Sequence, residues 1–245
     1  ARKSMLKLQV VSKEFLLPWG ALYVAERFEP GKVNPDYLLG LRHIIENIPF
    51  QAEMPVLDVS IESQPQLIVS LNFNAGIDDD LGVSVIADQR AYWQRVMQDS
   101  NVQVVERTTS NALIDALNDP ALPDQILYYY GHAEAKVDSP GESLLDFGNS
   151  QATKDDLETL APALQPLPGQ PLVFLNACQS NQLSPLYYDG FMPYFVSKGA
   201  RGMIGSESRV PVVFAEKWAE RFFDEFLSGE TTLGEVFLSL RQEFY

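Results

Sequence analysis

The chain holds one cysteine and two histidines, and two of these three residues close apolar runs. "QILYYYGHAE" (125–134) passes from a solid apolar stretch directly into Gly131-His132. "PLVFLNACQS" (171–180) ends in the same way and delivers Cys178. A thiol beside an imidazole is the minimum equipment for a cysteine nucleophile. Free cysteine has a pKa of about 8.5, so little thiolate exists at neutral pH. A neighbouring histidine accepts the proton or stabilises the thiolate as imidazolium. Read singly, both residues are ordinary: a cysteine after an apolar run is most often a small buried hydrophobe, and a histidine at a strand end is most often surface. The residues by themselves leave both readings open.

The surrounding elements decide whether the two can meet. Strand-like runs at 67–73, 102–109, 125–132, 171–178 and 200–208 alternate with helical patterns at 88–99, 110–119, 154–164 and 186–199. Such alternation predicts an α/β fold, a parallel sheet covered on both faces. In an open parallel sheet, ligands and chemistry collect at the carboxyl ends of the strands. Cys178 lies 46 residues after His132, enough for a helical crossover back to a neighbouring parallel strand. Neighbours lie roughly 4.8 Å apart, so both residues would emerge together on one edge.

Within 88–99, Tyr92, Trp93 and Val96 share an inner face. Ser110 is the expected N-cap of its helix, which Pro120 closes. Phe214, Trp218, Phe222 and Phe226 form a ridge at successive i+4 positions, suited to face a sheet and ended by Gly229. Thr232 and Glu235 make a capping box for a last helix. His43, in "LLGLRHIIENI", sits inside a helical pattern and is read as structural or exposed. Residues 1–60 are expected to be a small N-terminal subdomain or a linker from a missing upstream region, and residues 61–245 the main domain. The chain opens on Ala1 and closes at "LSLRQEFY" inside a helical pattern, which reads as a fragment of a longer protein.

Composition removes several classes. A net charge of -15 repels phosphate backbones and anionic lipids, so nucleic acid is not an expected ligand. No window approaches the roughly 18 apolar residues of a membrane span, and the start lacks the apolar core of a signal peptide. A single cysteine excludes an internal disulfide and a multi-cysteine zinc site, and points to the cytoplasm. A phosphatase loop would need an arginine where Ser184 stands. His132-Ala133-Glu134 opens like a deaminase motif, but Cys178 has no C-x-x-C partner. Neither a G-x-S-x-G elbow nor a P-loop is present. A Cys-His dyad requires no metal and no organic cofactor.

In their order and spacing, the pieces resemble the CHAT domains, bacterial relatives of caspases and separases. Those pieces are the strand into Gly131-His132, "ESLLDFGNSQATKDDLETL", and the strand ending in Asn176-Ala177-Cys178. After them come "FMPYFVSKGARGMIGSES" and the paired helices "FAEKWAERFFDEFLSGETTLGEVFLSLRQEF". The resemblance implies a caspase-like, mostly parallel sheet with helices on both faces. It implies that Cys178 attacks the peptide carbonyl, with His132 as general base and then acid. The backbone N–H groups of Cys178 and Ala133 would form the oxyanion hole; relatives commonly carry Gly where Ala133 stands. Asn176 would line the first substrate pocket, where Arg- or Lys-directed relatives are acidic, and Asn72 and Asn74 would line it too. The Asp78-Asp79-Asp80 run is read as a solvated loop, or else as the pocket's charge. An amide-lined pocket favours an uncharged residue before the cut. The family's final edge strand is missing from the pattern.

By the same resemblance the chain is the cysteine endopeptidase domain of a larger regulated bacterial protein. It would cut a protein substrate in defence or cell death under control of helical-repeat or sensor modules. Long loops at 133–153 and 179–190 would be mobile until ordered, leaving the isolated domain weakly active. The alternatives are an inactive scaffold that kept the fold and a non-peptidase thiol hydrolase or acyltransferase. Retention of both His132 and Cys178 weighs against the scaffold.

Overall fold

The computed structural model describes residues 4–12, 18–25, 27, 30–49, 66–134, 136, 138–164, 166–179, 191–206 and 210–245. Contacts divide the chain into two compact units, Ala1–Pro55 with Lys217–Tyr245 and Val56–Glu216. The first unit begins with β1 (Lys7–Ser12), the single turn α1 (Leu39–Arg42) and β2 (Ile44–Pro49). The second opens with β3 (Leu67–Phe73), α2 (Ile77–Leu81), α3 (Val85–Asp99), β4 (Val102–Arg107), α4 (Ser110–Leu117) and β5 (Ile126–Glu134). It continues with β6 (Leu144–Asp146), β7 (Gln151–Thr153), α5 (Lys154–Leu160), β8 (Leu172–Gln179), α6 (Met192–Ser197) and β9 (Gly202–Gly205). Helix α7 (Val212–Phe226) passes from the second unit into the first, and α8 (Leu233–Glu243) follows it. Among the described residues, no helix is long and apolar enough to cross a membrane.

The second unit is built on a parallel sheet of order β4-β3-β5-β8-β9. Both faces of its middle strands are covered: Val69, Leu71, Phe73 and all of Ile126 to Tyr130 are buried, as are Ser70 and Asn72 between them. One face packs Tyr128 against Phe73, Trp93 of α3 and Phe174 of β8, with ring centroids 6.1, 6.4 and 5.1 Å apart. Tyr92 and Trp93 are buried on this side as expected, with Val96 only partly covered. On the other face, Tyr129, Val173, Leu175 and Ala177 form a core with Leu113 and Leu117 of α4, Leu157 of α5 and Phe195 of α6. Each valine, leucine or phenylalanine among them contributes about 1.5–3 kcal/mol by leaving water. Lys198 closes this layer, its buried ammonium donating to the carbonyls of Leu117 and Pro162 at 2.7 and 2.9 Å.

Two local features differ from the sequence pattern. The N-cap of α4 is Thr109, whose Oγ1 accepts from the Ala112 N–H at 3.2 Å, while the Ser110 N–H donates to Ser150 Oγ. Residues 133–153 are not one long loop. β5 runs on to Glu134, and β6 adds antiparallel to its last three residues, on the edge that β3 leaves after Phe73. β7 pairs antiparallel with β6, so 144–153 is a β-hairpin. Residues 180–190 lie outside the described residues.

In the first unit, β1 and β2 pair in parallel, from Lys7↔Ile44 to Ser12↔Pro49. The helical pattern around His43 stops after Arg42, because the β-branched Ile44, Ile45 and Ile48 enter the ladder instead. His43 is buried, and its Nδ1 accepts the Leu6 N–H at 3.1 Å. Burial, and then the Arg42 charge, hold its pKa below the ordinary histidine value. The folded state therefore binds fewer protons here than the unfolded chain, so this contribution is present above about pH 6.5 and is lost as pH falls. Urea unfolding should therefore show a lower midpoint at pH 5.5 than at pH 7.5. That fall should be smaller in His43→Gln.

The aromatic ridge of α7 packs against α8. Trp218 and Phe222 stack at 5.6 Å, Phe222 and Phe226 at 5.3 Å, and Phe237 of α8 lies 5.2 Å from Trp218. α8 starts as its sequence predicts, with Thr232 N–H and Oγ1 both donating to Glu235 Oε2 at 2.9 and 2.7 Å.

Candidate active site

β5 and β8 are neighbours in parallel, and their register pairs His132 with Cys178. Gly131↔Ala177 and Ala133↔Gln179 flank that pair at the carboxyl ends of both strands. Register partners in a parallel ladder share a face, so the two positions are adjacent at roughly 4.8 Å. The pairing of β9 with β8 ends earlier, at Leu175↔Gly205, which leaves Cys178 beyond it. His132 is half-buried.

Gly131 precedes the histidine for a packing reason. A Cβ there would fall 2.6 Å from Tyr129 Oη and 2.9 Å from Asn74 Cβ. The Tyr129 ring crosses that space so that its hydroxyl reaches two carbonyls, those of His132 at 2.6 Å and Asp146 at 2.7 Å. Burial, with the Asp146 charge, pushes the Tyr129 phenol well above its ordinary pKa, so it stays a donor at working pH. On the other strand, Ser206 Oγ donates to the Ala177 carbonyl at 3.0 Å. Neither hydroxyl stands in a recognisable motif. The alternation that puts Tyr129 and Gly131 on one face was a usable signal; nothing local marked Ser206.

The CHAT domain family model matches residues 62–235. The chain belongs to the CHAT domain family. It is thus a member of a caspase-like cysteine peptidase family, with the α/β architecture expected of one. The chain is also 26% identical over 211 residues to a protein named as a probable protease from Vitiosangium sp. (strain GDMCC 1.1324). That match covers 82% of this chain and 26% of the relative, so the chain spans about a quarter of that protein's length.

Within this CHAT domain the three asparagines do not come together. Asn176 pairs with Tyr130 across the ladder and so shares the face of His132 and Cys178. Asn72 pairs with Tyr129, which faces the opposite way. Asn74 lies on that far face too, against Gly131. A two-residue period cannot place Asn72 and Asn176 in one pocket at this register. Asn72 and Asn74 have no exposed surface. Asn72 Nδ2 donates to the carbonyls of Ser70 and Tyr128, and Asn74 Oδ1 accepts from the Gly76 N–H. Asn176 is buried as well, its Nδ2 donating to Tyr128 Oη at 3.2 Å and to the Ala215 carbonyl at 2.9 Å.

Two further positions gain definite settings. Ala133 has a ladder partner on each side, Leu145 of β6 and Gln179 of β8. Asp78 is no solvated loop residue: it belongs to α2, and its carboxylate accepts from the N–H groups of Ile86 and Ala87 at 2.9 and 3.0 Å. It thereby caps α3, whose own Ser84 makes no capping bond. Asp78→Ala should lower stability by about 1 kcal/mol, readable as a lower denaturation midpoint with any peptidase activity intact. Asp79 and Asp80 are exposed.

Proposed function

We propose that this CHAT domain is a cysteine endopeptidase, one part of a larger regulated bacterial protein, acting through Cys178 and His132. The observation that carries this reading is the His132↔Cys178 register at the carboxyl ends of two central strands. The family and the relative named as a probable protease support the class.

In the first half-reaction the Cys178 sulfur bonds to the scissile carbonyl carbon while His132 takes the thiol proton. The carbonyl π pair moves to oxygen, giving an oxyanion that N–H donors stabilise. As the pair returns, the C–N bond breaks and His132 passes its proton to the leaving amine. Water then attacks the thioester, with His132 again as base, and releases the carboxylate product and the free thiol. The donors are the N–H groups of Cys178 and Ala133. Because Ala133 sits between ladder partners, its N–H serves only once the strand end opens, a step suited to a ligand or a regulatory partner. Digestion of a diverse peptide library, with cut sites read by mass spectrometry, tests the activity. Cleavage by wild type and none by Cys178→Ala is the expected result; intact peptides in both samples, with any natural activator supplied through the full-length protein, would remove the reading.

A further inference from the structure

Two side-chain hydroxyls fasten the two peptide units on which this proposed chemistry depends. A peptide is planar and trans, so its C=O and N–H point in opposite directions. The carbonyl of Ala177 belongs to the same unit as the N–H of Cys178. Ser206 holds that carbonyl from the β9 end of the sheet, which aims the Cys178 N–H the other way, towards β5. The carbonyl of His132 belongs to the same unit as the N–H of Ala133. Tyr129 Oη shares its one proton between that carbonyl and the Asp146 carbonyl of β6, and with the His132 carbonyl held on that side the Ala133 N–H points towards β8. The two N–H groups therefore point into the seam between β5 and β8, where His132 and Cys178 are paired and where the ladder occupies them until the strand ends part.

We propose that Tyr129 and Ser206 are positioning residues that aim the two oxyanion donors. Neither touches the reacting atoms; each acts through a carbonyl one bond from the donor nitrogen. This rests on the dyad reading given above. The architecture supports it at a third point, since Gly131 leaves the gap that lets the Tyr129 hydroxyl through. Such donors matter only where negative charge develops on oxygen. Losing either hydroxyl should slow attack on an acyl carbon and spare thiol reactions that build no oxyanion.

The single cysteine makes this measurable without a known substrate, because every thiol reaction is that of Cys178. Two probes are compared in the whole chain. Iodoacetamide alkylates the thiolate by displacing iodide and forms no oxyanion. p-Nitrophenyl acetate acylates it through a tetrahedral oxyanion and expels p-nitrophenolate. In Tyr129→Phe and Ser206→Ala, acylation should fall at least about tenfold with alkylation within about twofold, and Ser206→Thr should restore acylation. An equal fall in both reactions would mean that the hydroxyls only hold the fold, and no fall in either would mean that they aim nothing; each overturns the proposal. His132→Ala separates the two layers of argument, since it should slow both probes at neutral pH. If wild type reacts no faster than His132→Ala, the dyad itself fails, and the positioning role with it.

Discussion

Replacement of Cys178 by alanine is expected to abolish peptide cleavage, by roughly four orders of magnitude or more, because no other residue can take the acyl group. The unfolding midpoint should stay near that of wild type, since a small apolar side chain is tolerated at a strand end. His132→Ala should cost about 10²–10⁴-fold, the range supplied by a positioned general base. Its thiol must then ionise unaided, so activity should recover in part as pH approaches the free-cysteine pKa of about 8.5. His43→Ala is the control. That histidine belongs to the first unit and is bonded to the Leu6 N–H, and its loss should leave turnover unchanged. Near-wild-type cleavage in Cys178→Ala or His132→Ala, measured on a peptide from the library digest, would dismiss the dyad.

The second large effect is expected at Asn176, on stability rather than specificity. A carboxylate there would suit a basic substrate residue if the side chain simply faced a pocket. Instead its amide hydrogens are committed to Tyr128 Oη and the Ala215 carbonyl. Asn176→Asp sets a carboxylate oxygen against the Ala215 carbonyl in a buried site, leaving one acceptor without a donor. The cost should be about 1–3 kcal/mol. Burial would raise the new carboxyl's pKa, so the folded state holds its proton where the unfolded chain has lost it. Stability relative to wild type should therefore be best at acid pH and fall as pH rises above about 4. Denaturant melts of both proteins between pH 4 and 8 check this. An unchanged midpoint across that range would show that Asn176 is not tied down as described, and would reopen its use as a pocket residue.

Asn72 and Asn74 face away from the dyad side of the sheet, and Asp78 is occupied at the start of α3. Of the residues first assigned to the pocket, Asn176 alone shares the face of His132 and Cys178.

What the sequence determined by itself was the parallel sheet and the two candidate residues at its strand ends. The apolar runs 67–73, 126–132 and 172–178 could be satisfied only by burial on both faces. The scarcity of His and Cys at their ends picked out the pair that the ladder then joined. The capping box at Thr232 was legible for a similar reason: its bonds span three residues. Tertiary structure alone decided whatever depends on a partner distant in the chain. His43 reads as helical until β1 offers Ile44 and its neighbours a ladder. The ridge on α7 could have met a sheet or a helix, and it met Phe237. Asn72 and Asn176 look equivalent until register gives each strand its parity, and a one-residue difference in parity is a difference of face. Ser206 touches the peptide of Cys178 only because β9 lies beside β8. Local spacing carries the period of each element, but the register between elements is set where their surfaces pack.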